Sequence, residues 1–97
     1  MAKHYLSPLF TPRSIAVIGQ GADDTLANTL LSNIREGGFD GKVYAVNTPS
    51  MEGVPEYRKL EELGAPVDLA MLTTQTGDTI RWIQACGRNH IGAAAIL

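Results

Sequence analysis

The chain has one cysteine, Cys86, so it cannot form an internal disulfide and suits a reducing cytosol. It has no surplus of basic residues. Eight Lys and Arg stand against ten Asp and Glu, a formal net charge of −2. That balance argues against a nucleic-acid module, which would present a basic face; one local polyanion site stays open. No apolar run approaches the ~20 residues of a membrane span. The opening MAKHYLSPLFTPR lacks the apolar core of a signal peptide. The chain therefore reads as cytoplasmic, with no nucleic-acid or membrane partner. Internal repeats, low-complexity tracts and long charge runs are also missing. What remains is a 97-residue sequence with 44% hydrophobic and 19% charged residues, ordinary for one small globular domain.

The pattern along the chain alternates. LSPLFTPR holds two prolines and reads as an extended arm that Leu6, Leu9 and Phe10 pack onto the body. SIAVIG (14–19) is a continuous apolar run, as expected for a strand buried on both faces of a parallel sheet. From Thr25 to Glu36, Leu26, Ala27, Leu30, Leu31 and Ile34 follow helical spacing, and Gly37-Gly38 stops the helix. KVYAVN (42–47) is a second strand after the turn Phe39-Asp40-Gly41, and 48–54 is a loop. Glu56 to Leu63 reads as a short helix closed by Gly64, and VDLAMLTT (67–74) as a third strand. A second long helix is expected from Asp78 to Asn89. Asp78 would be its cap, and Ile80, Ile83, Ala85 and Cys86 its inner face. AAAIL (93–97) is a fourth strand.

This order predicts an α/β fold: a Rossmann-like, doubly wound parallel sheet of four strands with helices on both faces. The chain stops inside the fourth strand, so a fragment of a longer protein is expected.

The motifs narrow this further. P-R-S-I-A-V-I-G, then N-I-R-E-G-G-F-D-G-K-V-Y-A-V-N, V-D-L-A-M-L and C-G-R-N-H-I-G-A-A-A-I-L occur in that order. Together they resemble the N-terminal CoA-binding domain of NDP-forming acyl-CoA synthetases, which are similar to the succinyl-CoA synthetase α-chain. Bacterial lysine acetyltransferases with a synthetase-like front half share the same opening. The match runs from about Leu6 to Leu97. The resemblance implies a domain spanning 1–97 that holds CoA or acyl-CoA by its phosphate and adenosine end. Chemistry would then occur in other domains of the parent chain. Carried across, the binding residues are Gly19, Gln20, Gly21 and Ala22, then Asn47 and Thr48, then Thr73, Thr74 and Gln75. This agrees with the rule that open α/β sheets bind ligands beyond the carboxyl ends of their strands.

The departures from the family pattern fall on the same loops. G-Q-G replaces the usual G-A-S. A family glycine in the first helical turn aligns nearest Ala27. N-T-P replaces N-P-K, so a lysine is missing, and T-T-Q replaces a V-P-A-like turn.

A phosphate cradle needs free backbone N–H groups and close approach, which Gly19 and Gly21 allow at the N-terminus of a helix. Asp23 and Asp24 oppose it by charge. One of them is expected to be the helix cap, pointing away from any ligand, with phosphate further back over Gly19–Ala22. An NAD site would want a third glycine where Asp24 stands and an acid where Asn47 stands. Asn47 and Thr74 each have a structural alternative, an Asx turn and a helix cap respectively. His4 and His90 inherit no role, because the family's phosphorylated histidine lies in a later domain. No catalytic or metal set is identified; Cys86 reads as a small buried hydrophobe and Trp82 as a packing edge or subunit contact. Two rival readings remain: a regulatory or structural domain that has lost its ligand, and an NAD(P)-binding domain. Association between copies of the chain is left open.

Overall fold

A computed structural model describes residues 11–97. The arm carrying His4, Leu6, Leu9 and Phe10 lies outside the described residues. Strand β1 (Ser14–Ile18) leads to helix α1 (Thr25–Glu36), and then to strands β2 (Lys42–Val46) and β3 (Glu56–Tyr57). A single 3-10 turn follows at Leu60–Glu62. Strand β4 (Leu69–Leu72), helix α2 (Thr76–Arg88) and strand β5 (Ala93–Ile96) complete the order. The strands form one sheet in the order β3-β2-β1-β4-β5, and every pairing is parallel. The α/β fold class and the two-faced winding are as the sequence predicts, with β3 added at the edge.

The apolar strands are buried because both faces of the sheet are covered. Alternation along β1 divides the core in two. Ile15 and Val17 face α1 with Ala27, Leu31, Ala45 and Leu69. Ala16 and Ile18 face the opposite side with Val46, Ala70, Leu72, Ala85 and Cys86. Helix α1 has the expected bounds. It ends at Gly37, and Gly38 takes the left-handed conformation, φ 82, that glycine adopts at little cost.

Three local expectations are corrected. Glu56–Leu63 is not a helix. Ala45 donates to the Pro55 carbonyl and Asn47 to that of Tyr57, which draws Glu56–Tyr57 into the sheet. Only Leu60–Glu62 turns, with the Glu62 carboxylate accepting from the amides of Arg58 and Lys59. Asp78 is not a cap either. Helix α2 begins at Thr76 with Gln75 as its N-cap, and Asp78 lies in the first turn, paired with Arg81. Lastly, Ile80 and Ile83 are not inner residues, being 63% and 41% exposed. The inward stripe is Thr79, Trp82, Ala85 and Cys86. Thr79 can be buried because its hydroxyl bonds the Thr74 hydroxyl at 2.8 Å and the Gln75 carbonyl at 2.9 Å. Cys86 is buried as expected, and burial raises its thiol pKa, so it is an unreactive core residue.

Candidate functional site

The chain runs from β1 outward through β2 and β3, then returns to place β4 on the other side of β1. The loops after β1 and β4 therefore diverge at a topological switch point, where open α/β sheets hold ligands. Gly19–Asp24 follows β1 and Thr73–Gln75 follows β4, and Gln20 and Asp24 bond across this crevice to Thr73. Asn47 and Thr48 follow β2 alongside. The residues expected to bind thus all follow the carboxyl ends of strands, but Gly19, Thr73, Thr74 and Gln75 line none of the three clefts found there.

These three clefts lie side by side and share residues. One of about 430 Å³ is bounded by Gln20, Gly21, Ala22, Asp23, Asp24, Thr25 and Leu26. A second, of about 460 Å³, touches Ala22, Asn47, Thr48, Ser50, Tyr57 and Arg58. A third, of about 410 Å³, touches Asn47, Lys59, Arg81, Trp82 and Arg88. Ala22 joins the first to the second and Asn47 joins the second to the third. The three clefts thus form a row of neighbours along the strand ends. Lys59, Arg81 and Arg88 line the cleft with Trp82 beside Glu61 and Asp78, and Asp78 pairs with Arg81, while Arg58 lines the second cleft beside Glu56 and Glu62. Sequence reasoning missed Arg58, Lys59 and Trp82 as cleft residues. A helix over Glu56–Leu63 would not place Arg58 and Lys59 after a strand end, where β3 puts them.

The individual groups are largely engaged within the chain. The Gly19 amide donates to the Val46 carbonyl at 2.9 Å and the Gly21 amide to that of Asn47 at 2.7 Å. The Gln20 amide donates to Asp24 Oδ2 at 2.9 Å. Gln20 Nε2 reaches across the crevice to the Thr73 carbonyl at 2.6 Å. Asn47 has φ 55, and its Nδ2 donates to the Gly19 carbonyl at 3.1 Å. Thr48 is buried, and its hydroxyl bonds the Pro49 carbonyl. Thr73 is buried with its hydroxyl on Asp24, and Thr74 is buried against Thr79. Gln75 and Ala22 are exposed at the rims of the loops. His90 stands at the end of α2 with φ 56. Among the described residues, no three His, Cys, Asp or Glu side chains are placed to hold a metal.

Asp24 is the cap of α1, as one of the two sequence alternatives held, since Oδ1 accepts from the Ala27 amide at 2.9 Å. It does not point away from the crevice. Oδ2 turns back into the loop and takes the Gln20 amide and, at 2.6 Å, the Thr73 hydroxyl. Burial opposes its charge, but the Thr73 hydroxyl and the amides of Ala27, Gln20 and Leu26 outweigh burial and lower its pKa. The sign of the pH effect follows. The unfolded carboxyl titrates at about 3.9, so Asp24 contributes its full stability above that pH. The contribution is lost as pH falls through the lower folded value. Between neutral pH and pH 3, the wild type is expected to lose more denaturant stability than Asp24→Asn, in which the group cannot titrate. Equal losses would contradict the folded-state role of the carboxylate.

A Rossmann-like α/β domain with clefts at the carboxyl ends of its strands is the class these features define. Residues 13–97 match the CoA binding domain family, and the chain belongs to that family. It is similar to the α subunit of acetate–CoA ligase [ADP-forming] II of Pyrococcus furiosus, 32% identical over 95 residues, 95% of this chain and 21% of that protein. The 4-hydroxybutyrate–CoA ligase [ADP-forming] of Nitrosopumilus maritimus is 31% identical over 97 residues, 94% of this chain and 13% of that protein. Among solved structures, the apo dinucleotide-forming acetyl-coenzyme A synthetase 1 of Ca. Korarchaeum cryptofilum superposes with a TM-score of 0.79 at 30% identity. That match covers 89% of this chain and 19% of the other. The chain thus spans about a fifth, or less, of the length of these relatives. Among the described residues, no helix is long and apolar enough to cross a membrane.

Proposed function

We propose that this chain, over residues 1–97, is the CoA-binding domain of an NDP-forming acyl-CoA synthetase working in the cytoplasm. It holds CoA or acyl-CoA while other domains of a longer protein carry out the chemistry. The observation that carries this reading is the match to the CoA binding domain family, supported by a row of adjoining clefts at the strand ends. The relatives named as ADP-forming CoA ligases favour a synthetase over an acetyltransferase parent.

In this reading CoA lies along the row of clefts. The diphosphate would lie by the loop 19–22, and the ribose would lie by Asn47. The adenine would lie toward Trp82, with Lys59 and Arg88 near the ribose phosphate. These cations would stand in for the lysine missing after β2, with Glu61 beside them opposing a phosphate. The same donors do not suit NAD, since the residue closing β2 is Asn47 and not an acid.

Calorimetric titration of the chain with CoA tests the reading, together with melts in CoA, acetyl-CoA and NAD. Only a ligand that binds the native state raises the midpoint. Heat with CoA and a larger shift than with NAD are expected. A folded sample giving no heat at millimolar CoA would leave the ligand-free regulatory reading, which the internally bonded loop amides favour.

Trp82 is the sole tryptophan, so its emission reports on its own surroundings. CoA at saturation is expected to quench it, and Trp82→Ala to weaken binding roughly tenfold, the size of a lost base–aromatic stack. Unchanged emission at calorimetric saturation would move the adenine elsewhere.

A further inference from the structure

The crevice between β1 and β4 is bridged by the protein itself. Asp24 spans it from the α1 side. One carboxylate oxygen takes the Ala27 amide, and the other takes both the Gln20 amide and the Thr73 hydroxyl. Gln20 spans it again, through Nε2 to the Thr73 carbonyl. Gly19 is shaped for this arrangement. A Cβ there would come within 2.9 Å of Asp24 Oδ2, and within 3.0 Å of both the Asn47 carbonyl and the Thr48 methyl. The space opened by the glycine is thus filled by the chain's own carboxylate.

A phosphate oxygen entering this loop would seek the donors that Asp24 holds: two backbone amides and a hydroxyl. Like Asp24, it would arrive as an anion accepting hydrogen bonds. The two cannot share those donors, and their charges repel.

We propose that Asp24 is an internal stand-in for the ligand's phosphate. It latches the β1 and β4 loops together, and a diphosphate must displace it to enter the crevice. Asp24 then sets the affinity of the site and makes binding depend on loop opening. The proposal rests on the CoA reading for the identity of the ligand, but not for the existence of the latch. A ligand whose competent state is rarely populated binds with an affinity reduced by that fraction. Removing the latch should therefore raise affinity, although it removes side-chain atoms from the site.

Asp24→Ser tests this. A serine retains a capping oxygen for the Ala27 amide but is too short to hold Gln20 and Thr73 as well. Wild type and variant are titrated with CoA and with inorganic pyrophosphate, following the backbone amide resonances of Gln20 and Ala27. The variant is expected to bind CoA at least tenfold more tightly than the wild type, and both amides should shift. Thr73→Val keeps the cap and removes only one hold on the carboxylate. It is expected to gain roughly threefold, and it decides the matter if the serine variant does not fold. A gain for pyrophosphate alone supports the latch and rejects CoA as the ligand. Wild-type CoA binding that the substitutions leave unchanged or weaken overturns the latch and keeps the CoA reading. Folded variants that bind neither ligand overturn it too, since no anion site then lies beneath Asp24.

Discussion

Gly41→Ala is expected to destabilise the domain by about 3 kcal/mol, at the upper end of what overpacking costs. The added Cβ would lie 2.3 Å from the Arg13 carbonyl oxygen and 2.4 Å from the Phe39 ring. Phe39 can rotate, but the Arg13 carbonyl is backbone. It accepts from the Lys42 amide at 3.2 Å, one step before the paired residues Ser14 and Lys42. Relief therefore requires the first rungs of the β1–β2 ladder to separate. The lowered midpoint should appear in urea unfolding at unchanged slope. Gly87→Ala is the matched control. It lies in α2 with nothing near the added Cβ, so helix propensity alone should stabilise it by about 0.5–1 kcal/mol. A Gly41→Ala protein as stable as the wild type would mean that this approach of the two strand starts is not obligatory.

Gly41 also shows what kind of information the sequence carries plainly. The segment G-G-F-D-G-K-V-Y-A-V-N fixes a turn, a close backbone approach and a buried strand, and all are local demands on residue type. The apolar runs of β1, β2, β4 and β5 were legible for the same reason, as was α1 with its amphipathic spacing and paired glycines. Where polar residues are satisfied by local hydrogen bonds, hydropathy misleads. Thr79 is buried in α2 because Thr74 and Gln75 take its hydroxyl, so the inward stripe is rotated away from Ile80 and Ile83. β3 was invisible because two residues at a sheet edge carry no periodicity, and their pairing depends on β2.

The candidate site is legible as a place and much less as an arrangement. Strand ends and loop glycines identify the crevice, since topology alone puts ligands there. The partners of Asp24 are another matter. Thr73 is 49 positions away in sequence, and only the folded sheet brings its hydroxyl to the carboxylate. Sequence spacing can show that Asp24 starts a helix. It cannot show that the second oxygen of the same carboxylate closes a crevice. The cleft cations have the same origin, because Lys59 and Arg88 come together only through the packing of α2 over the 3-10 turn.

Leu72→Ala is expected to cost about 3 kcal/mol, while Ile80→Ala should stay within about 0.5 kcal/mol. The two side chains have similar transfer energies in isolation, so the difference tests where the core lies. Leu72 is fully buried at the end of β4, in register with Ile18 and Ile96 and packed on the α2 side of the sheet. Truncation leaves a cavity that the flanking strands, held by parallel ladders, fill poorly. For a domain whose total stability is ~5–15 kcal/mol, such a loss leaves a substantial unfolded population on mild heating. Ile80 projects from α2 with most of its surface in water, so its truncation removes little burial. Ligand linkage adds a functional check. Leu72 precedes Thr73 but does not line the clefts, so CoA at about a hundred times Kd should return roughly 2.7 kcal/mol to Leu72→Ala as it does to the wild type. A variant that is destabilised yet gains nothing from CoA would show that the end of β4, and with it the crevice at Thr73, had lost its shape. A large loss at Ile80 with little at Leu72 would instead restore the inner face inferred from hydropathy and reverse the assignment of the two sides of α2.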